Sequence, residues 1–173
     1  ERNSTTSHYG GANAGCHFSI DGNTLAVISY YHHAHGVTYV WQYNQETHQW
    51  GKYNADGSFT VPTSTSDHTG VHRLVQAGTG YIGHGGGISG DGKSLIMSGH
   101  HGGGTGFIWE YDEVTATWGA FSASGMFTAD SSHRLYSGAS NWGHDSTISP
   151  NNKFVYMQYN SQNVEIFKGV TRG

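Results

Sequence analysis

Histidine is the side chain best suited to chemistry near neutral pH, and this chain has 13 of them. Five gather in two short stretches rich in Gly and His, with His32, His33 and His35 in one and His100 and His101 in the other. Clustered neutral imidazoles are what a divalent transition metal such as Zn, Cu or Ni takes as ligands, so these five are the candidate metal residues. Neither stretch carries a carboxylate or thiolate, and loops rich in Gly and His are more often plain solvated loops, the reading preferred over metal binding. A pH response is the third reading: protonating every histidine would move the formal charge from −4 to +9, and surfaces that attract at neutrality would repel in acid.

Other stretches imitate known chemistry. Gly87 to Ser94, Gly-Ile-Ser-Gly-Asp-Gly-Lys-Ser, matches the letters of a phosphate-binding loop. That loop needs a following helix whose N-terminus faces the phosphate, whereas Leu95-Ile96-Met97 reads as a strand. His84-Gly85-Gly86-Gly87 and His101-Gly102-Gly103-Gly104 have the form of an esterase oxyanion loop, but no Gly-x-Ser-x-Gly elbow accompanies them. The glycines are expected to let the chain turn sharply. His144-Asp145-Ser146 has triad residue types, but neighbours on an extended chain point apart. No catalytic residue is therefore expected. A speculative sugar site is assembled from Trp142, Asn141 and Asp145, with Tyr81 and His84 in the preceding copy. Cys16 is the single cysteine and makes no internal disulfide, and Asn3-Ser4-Thr5 is an N-glycosylation sequon at Asn3 if the chain is secreted.

The elements that would position these groups come from internal repetition. Phe18-Ser19-Ile20-Asp21-Gly22-Asn23-Thr24-Leu25, Ile88-Ser89-Gly90-Asp91-Gly92-Lys93-Ser94-Leu95 and Ile148-Ser149-Pro150-Asn151-Asn152-Lys153-Phe154-Val155 are three copies of one turn, their serines 70 and then 60 residues apart. An apolar run follows each, read as a strand buried on both faces. A second strand comes next, Val37–Tyr43, Thr105–Tyr111 and Asn163–Phe167, and the first two copies add a third bearing Trp50 or Trp118. Both tryptophans are expected to pack between sheets. His72-Arg73-Leu74 and His133-Arg134-Leu135 read as matching connections, whose histidines, like His84 and His144, are expected to bridge neighbouring strands. Asp-Gly and Asn-Asn tolerate the positive φ that tight turns demand. The expected fold is all-β, an array of about three antiparallel propeller-type blades: about 15–61, about 81–128 and an incomplete one at about 141–170. Residues 1–14 read as a linker or strand-donating segment of this single repeat domain.

The turn at Ile148 to Tyr156 resembles the Ser-Pro-Asp-Gly-Lys turn and strand of several β-propeller families. The first copy, with Tyr39-Val40-Trp41-Gln42-Tyr43 and Trp50, is similar to the integrin-type phenylalanyl-glycyl repeats of extracellular propellers. Those repeats often carry an acidic calcium loop. Here the turn has one Asp or none, so calcium is not expected.

Composition narrows the function classes. Eight Lys and Arg against 12 Asp and Glu leave no basic footprint for nucleic acid, and no apolar run reaches membrane-spanning length. Closed propellers are typically built from four to eight blades, so three with an open edge predict either subunits that share strands, as a homo-oligomer or polymer, or a piece of a longer propeller. The function expected from sequence is a non-enzymatic extracellular structural module that self-assembles through shared blade edges. The alternative is a multivalent lectin binding glycans at repeated sites.

Overall fold

The computed structural model describes residues 15–29, 36–64, 67–75, 82–99, 105–136, 145–158 and 164–168. Every strand pairing is antiparallel, and the described residues contain no helix. In the first sheet β1 (Gly15–Phe18), β2 (Thr24–Ser29), β3 (Val37–Asn44), β4 (Gln49–Tyr53) and β5 (Phe59–Thr60) lie side by side, and β6 (His72–Leu74) also pairs with β3. The second repeats the plan with β7 (Ile82–Ile88), β8 (Ser94–Gly99), β9 (Thr105–Asp112), β10 (Thr117–Phe121) and β11 (Phe127–Ala129), and β12 (His133–Tyr136) pairs with β9. The third is β13 (Ser146–Ile148), β14 (Phe154–Gln158) and β15 (Val164–Lys168). Three antiparallel sheets built on one pattern, the third with fewer strands, make the expected propeller-like array.

Each Ser turn is built by the same bonds, which is why the motif recurs. Ser19 Oγ donates to Asp21 Oδ1 at 2.6 Å and accepts from the Thr24 N–H at 2.9 Å. Ser89 does the same with Asp91 and Ser94 at the same two distances, and Ser149 with Asn151 at 2.8 Å and Phe154 at 2.9 Å. The fourth turn residue is left-handed in all three: Gly22 at φ 72°, Gly92 at 70° and Asn152 at 60°. The turns also touch. The Ile20 N–H donates to the Gly90 carbonyl at 2.8 Å, and the Gly90 N–H to the Pro150 carbonyl at 3.0 Å, a relay running through all three sheets.

Alternation along the strands decides which sheet meets which. Ala26, Ile28 and Val40 of the first sheet pack against Leu95, Met97, Phe107, Trp109 and Trp118 of the second. Ile96 and Ile108, on the second sheet's other face, meet Ile148, Val155 and Met157 of the third. The middle sheet is thus covered on both sides, and β8 is buried at every residue. Each such large side chain removed from water contributes roughly 1.5–3 kcal/mol. The expectation of a strand buried on both faces fails for β14, where Phe154 is 39 % exposed while Val155 is wholly buried. Trp118 packs in the first interface and stands 5.5 Å from the Tyr111 ring; its counterpart Trp50 lies 5.2 Å from Tyr43.

Three further sequence expectations are corrected. The glycines after His84 make no turn but form the strand β7. A Cβ on Gly85 would come 2.6 Å from Asp145 Cα, and one on Gly87 2.8 Å from Thr147 Oγ1. Bare backbone is what lets β13 approach so closely. The two His-Arg-Leu connections are likewise strands, with Val40 opposite His72 and Ile108 opposite His133. Their histidines meet side chains of the paired strand and not the backbone groups that such a bridge would use: His72 Nε2 meets Gln42 Oε1 at 3.2 Å, and His133 Nε2 stands 3.5 Å from Glu110 Oε2.

Candidate functional site between the first two sheets

Where the first sheet leans on the second, they leave a cleft of about 370 Å³ lined by Gln42, Tyr53, Asp91, Lys93, Tyr111 and Glu113 among others. That size falls within the range of small-molecule sites. Its centre is the side-chain amide of Gln42, projected from β3 toward the second sheet. Gln42 Oε1 accepts the backbone N–H of Tyr53 at 3.0 Å, and a backbone donor fixes which end of the amide is oxygen. His72 Nε2, 3.2 Å from the same oxygen, must then carry its proton and donate. The amide nitrogen is left to donate to the Tyr111 phenol, a bond that stabilises the phenolate.

Electrostatics keep the phenolic proton in place. Burial pushes the Tyr111 phenol above its ordinary value, and Glu113 and Asp112 push the same way against the Gln42 bond. His72, edge-on to the Tyr111 ring at 5.7 Å, is pulled down to about 4 by burial and by the neighbouring Lys52 charge, so it is neutral at pH 7. On the rim Lys93 Nζ pairs with Glu113 Oε1 at 2.8 Å; both side chains are exposed, and such a pair adds little to stability. Burial alone would raise the Asp91 carboxyl, but bonds from Ser89, the Lys93 N–H and Asn152, together with the Lys93 charge, hold it below the ordinary value. Asn152 Nδ2 reaches Asp91 Oδ2 at 2.9 Å, tying the third sheet to the wall of the cleft. A phenol donor, an ammonium and anchored carboxylates around one opening suit a ligand rich in hydroxyl and carbonyl oxygens.

Of the site residues expected from sequence, only His84 and Asp145 are described, and neither lines this cleft. His32, His33, His35, His100 and His101 fall outside the described residues, as do Trp142, Asn141, Tyr81 and Asn3. Among the described residues no three His, Cys, Asp or Glu side chains gather to hold a metal ion. His84 is half-buried on β7, and Asp145 precedes β13, with Gly85 backed against it. Asp145 Oδ1 accepts the Ser146 N–H at 2.9 Å and its carbonyl accepts the Gln158 N–H at 2.9 Å. Across from it, burial lowers His17 while the Asp145 charge partly restores it. The structure therefore places Asp145, just before β13, beside β7, the strand that carries His84. The phosphate-loop letters fall on the turn between β7 and β8, with no helix after them.

Sequence reasoning missed Gln42, Tyr53 and Tyr111. Aligning the copies held a signal: Gln42 and Glu110 are the position where the repeat changes chemistry beside a matched histidine, His72 or His133.

Neither a family model nor any curated protein matches the chain. Among solved structures it is similar to a Bacteroides fragilis protein provisionally assigned as a 6-phosphogluconolactonase, at 21 % identity and a TM-score of 0.42. The match covers 89 % of this chain and 34 % of that one, so the chain spans about a third of its neighbour's length. With the neighbour described as an enzyme, the expectation of a non-enzymatic, self-assembling extracellular module, and of a lectin in its place, is corrected. Trp50 and Trp118, read as packing residues, are engaged with neighbouring rings. No helix among the described residues is long and apolar enough to cross a membrane. What stands is the fold: all-β, three antiparallel sheets, propeller-like.

Proposed function

We propose that the cleft between the first two sheets binds a small hydroxylated carbonyl compound, of the sugar-acid ester or lactone class, and assists its hydrolysis. The observation that carries this reading is the Tyr111 phenol at the wall of the cleft, kept protonated by burial and by Glu113 and Asp112 and so able to donate. As water adds to the carbonyl carbon, negative charge develops on the carbonyl oxygen. A fixed donor in a partly desolvated cleft stabilises that charge more than it stabilises the ground state. The attacking water passes one proton to bulk water as it adds; when the tetrahedral adduct collapses the acyl C–O bond breaks, and the departing alkoxide takes a proton back from the solvent, so that the protons balance.

The test is acid release in a pH-stat from a panel of sugar lactones, 6-phosphogluconolactone among them, with the chain and its Tyr111→Phe variant. Hydrolysis above background, with kcat reduced about 100-fold in the variant, is expected, since removing one oxyanion donor typically costs that much or more. Equal rates in the two proteins, or no lactone turned over and none shifting cleft resonances in NMR, would overturn the reading.

A further inference from the structure

On the third sheet Thr147, Ser149, Phe154, Tyr156, Ile166 and Lys168 line an open groove of about 480 Å³, within the range of small-molecule sites. Alternation creates it: Ile148, Val155 and Phe167 turn toward the second sheet, which leaves their neighbours on the far side. Phe154 is 39 % exposed there and Ile166 63 %. The matching faces of the other sheets show what is different. Ala26 pairs with Val40 in the first sheet and Ile96 with Ile108 in the second, and all four are wholly buried in the contact with the next sheet. The same rung of the third sheet is Tyr156 beside Ile166. One rung along, Thr24 faces Gln42 and Ser94 faces Glu110, whereas the third sheet has Phe154 and Lys168. Two rings and a cation thus stand where the packed faces carry small or aliphatic side chains, an amide and an acid. Lys168 Nζ lies 6.0 Å from the centre of the Phe154 ring, a cation–π contact. Glu165, the carboxylate of the same strand, alternates onto the side of Met157 and leaves the groove without an acid. A further sheet laid here as the others are laid would meet the Tyr156 ring where Ala26 and Ile96 leave room. It would also cover the ammonium, which is costly without a counter-charge. A small molecule that brings its own counter-charge meets neither obstacle.

We propose that this groove binds a small amphiphilic carboxylate, with a flat aromatic body lying on Phe154, Tyr156 and Ile166 and its carboxylate on the Lys168 ammonium. Covering exposed rings and an isoleucine supplies the affinity, and the charge-assisted bond to Lys168 fixes the orientation. The groove belongs to the third sheet alone, whereas the walls of the Tyr111 cleft come from the first two. The two proposals therefore fail independently.

The probe is 3-phenylpropionate, with its neutral amide and acetate as partial twins, all at constant ionic strength. Readouts are the backbone amide resonances of β14 and β15 and calorimetry. Saturable binding of the acid is expected, with the amide about tenfold weaker, as loss of a charge-assisted bond implies. Acetate, which lacks the body, should leave these resonances in place. Lys168→Gln should bring the acid down to the level of the amide, whereas Lys52→Gln on the first sheet should not. Ile166→Ser, at a position already mostly exposed, should weaken acid and amide alike; if that variant does not fold, the lysine pair decides. The proposal is overturned by the absence of a saturable shift, by an amide that binds as tightly as the acid, or by equal weakening in the two lysine variants. A concentration-dependent dimer abolished by Ile166→Ser would give the face to a second copy and overturn it too.

Discussion

Gly22 and Gly92 occupy the same step of the same turn, at φ 72° and 70°, yet they stand in different surroundings. Nothing lies within 4 Å of a Cβ built on Gly22. A Cβ on Gly92 would press on Thr24 Oγ1 and come 2.8 Å from Thr24 Cβ and 3.3 Å from Ser19 Cβ. Rotating the threonine side chain relieves the first contact but not the second, because Cβ moves only with the backbone. Gly22→Ala should therefore cost only left-handed strain, about 1–2 kcal/mol. Gly92→Ala should cost that plus overpacking of about 1–3 kcal/mol, and the difference between the two measures how rigidly the first sheet's turn is seated on the second's. Urea unfolding followed by tryptophan fluorescence gives both values, provided the slope with denaturant is unchanged between variants. Asn152, at φ 60° in the third turn, supplies a control: Gly22→Asn should cost less than Gly22→Ala, because Asn tolerates this region. If Gly92→Ala and Gly22→Ala agree within about 0.5 kcal/mol, the turns are not in firm contact and the argument for a packed relay fails.

Three more outcomes follow from the same geometry. With His72 at about 4 in the folded protein against an ordinary 6.5, the unfolded chain takes up the proton first as pH falls. Its contribution is complete above pH 6.5 and is lost between there and pH 4, on the order of 3 kcal/mol; a His72→Gln variant should show a flatter acid limb in urea titrations, and an unchanged limb would refute the assignment. Ser89→Ala removes the acceptor of the buried Ser94 N–H and the donor to Asp91, and should cost about 1–3 kcal/mol, read as a lowered unfolding midpoint. Gln42→Glu recreates in the first sheet the carboxylate–imidazole pair that Glu110 and His133 form in the second; His72 should then titrate at higher pH by NMR, and no movement would show that Gln42 does not face the ring.

The Ser turn was legible because all its parts lie within six residues: the serine, its Asp or Asn partner two on, and the left-handed Gly or Asn. The strands after it were legible from their apolar runs. The His-Arg-Leu segments were not, because three residues carry no periodicity, and only pairing with Thr38, Tyr39 and Val40, more than thirty positions earlier, makes β6 a strand. The β7 glycines misled for a related reason, since glycine is a turn former until a neighbouring backbone requires the space its side chain would fill. The cleft was hidden more deeply: Gln42, Tyr53 and Asp91 meet only after two sheets pack face to face. The identity of each residue was visible in the sequence, but which face of its strand would look toward a neighbour was not.

The relay through the Ser turns has a direction. Gly90 both receives a bond from Ile20 and gives one to Pro150, so the middle turn is a two-way connector. Pro150 has no N–H and can only receive. The three repeats are therefore not interchangeable parts, however alike their strands: placed in the middle, the third turn would break the relay after one bond. Sheet order in this molecule is written into the backbone chemistry of a single turn position, independently of the side chains that fill the core, and a designer shuffling the repeats would have to carry that polarity along.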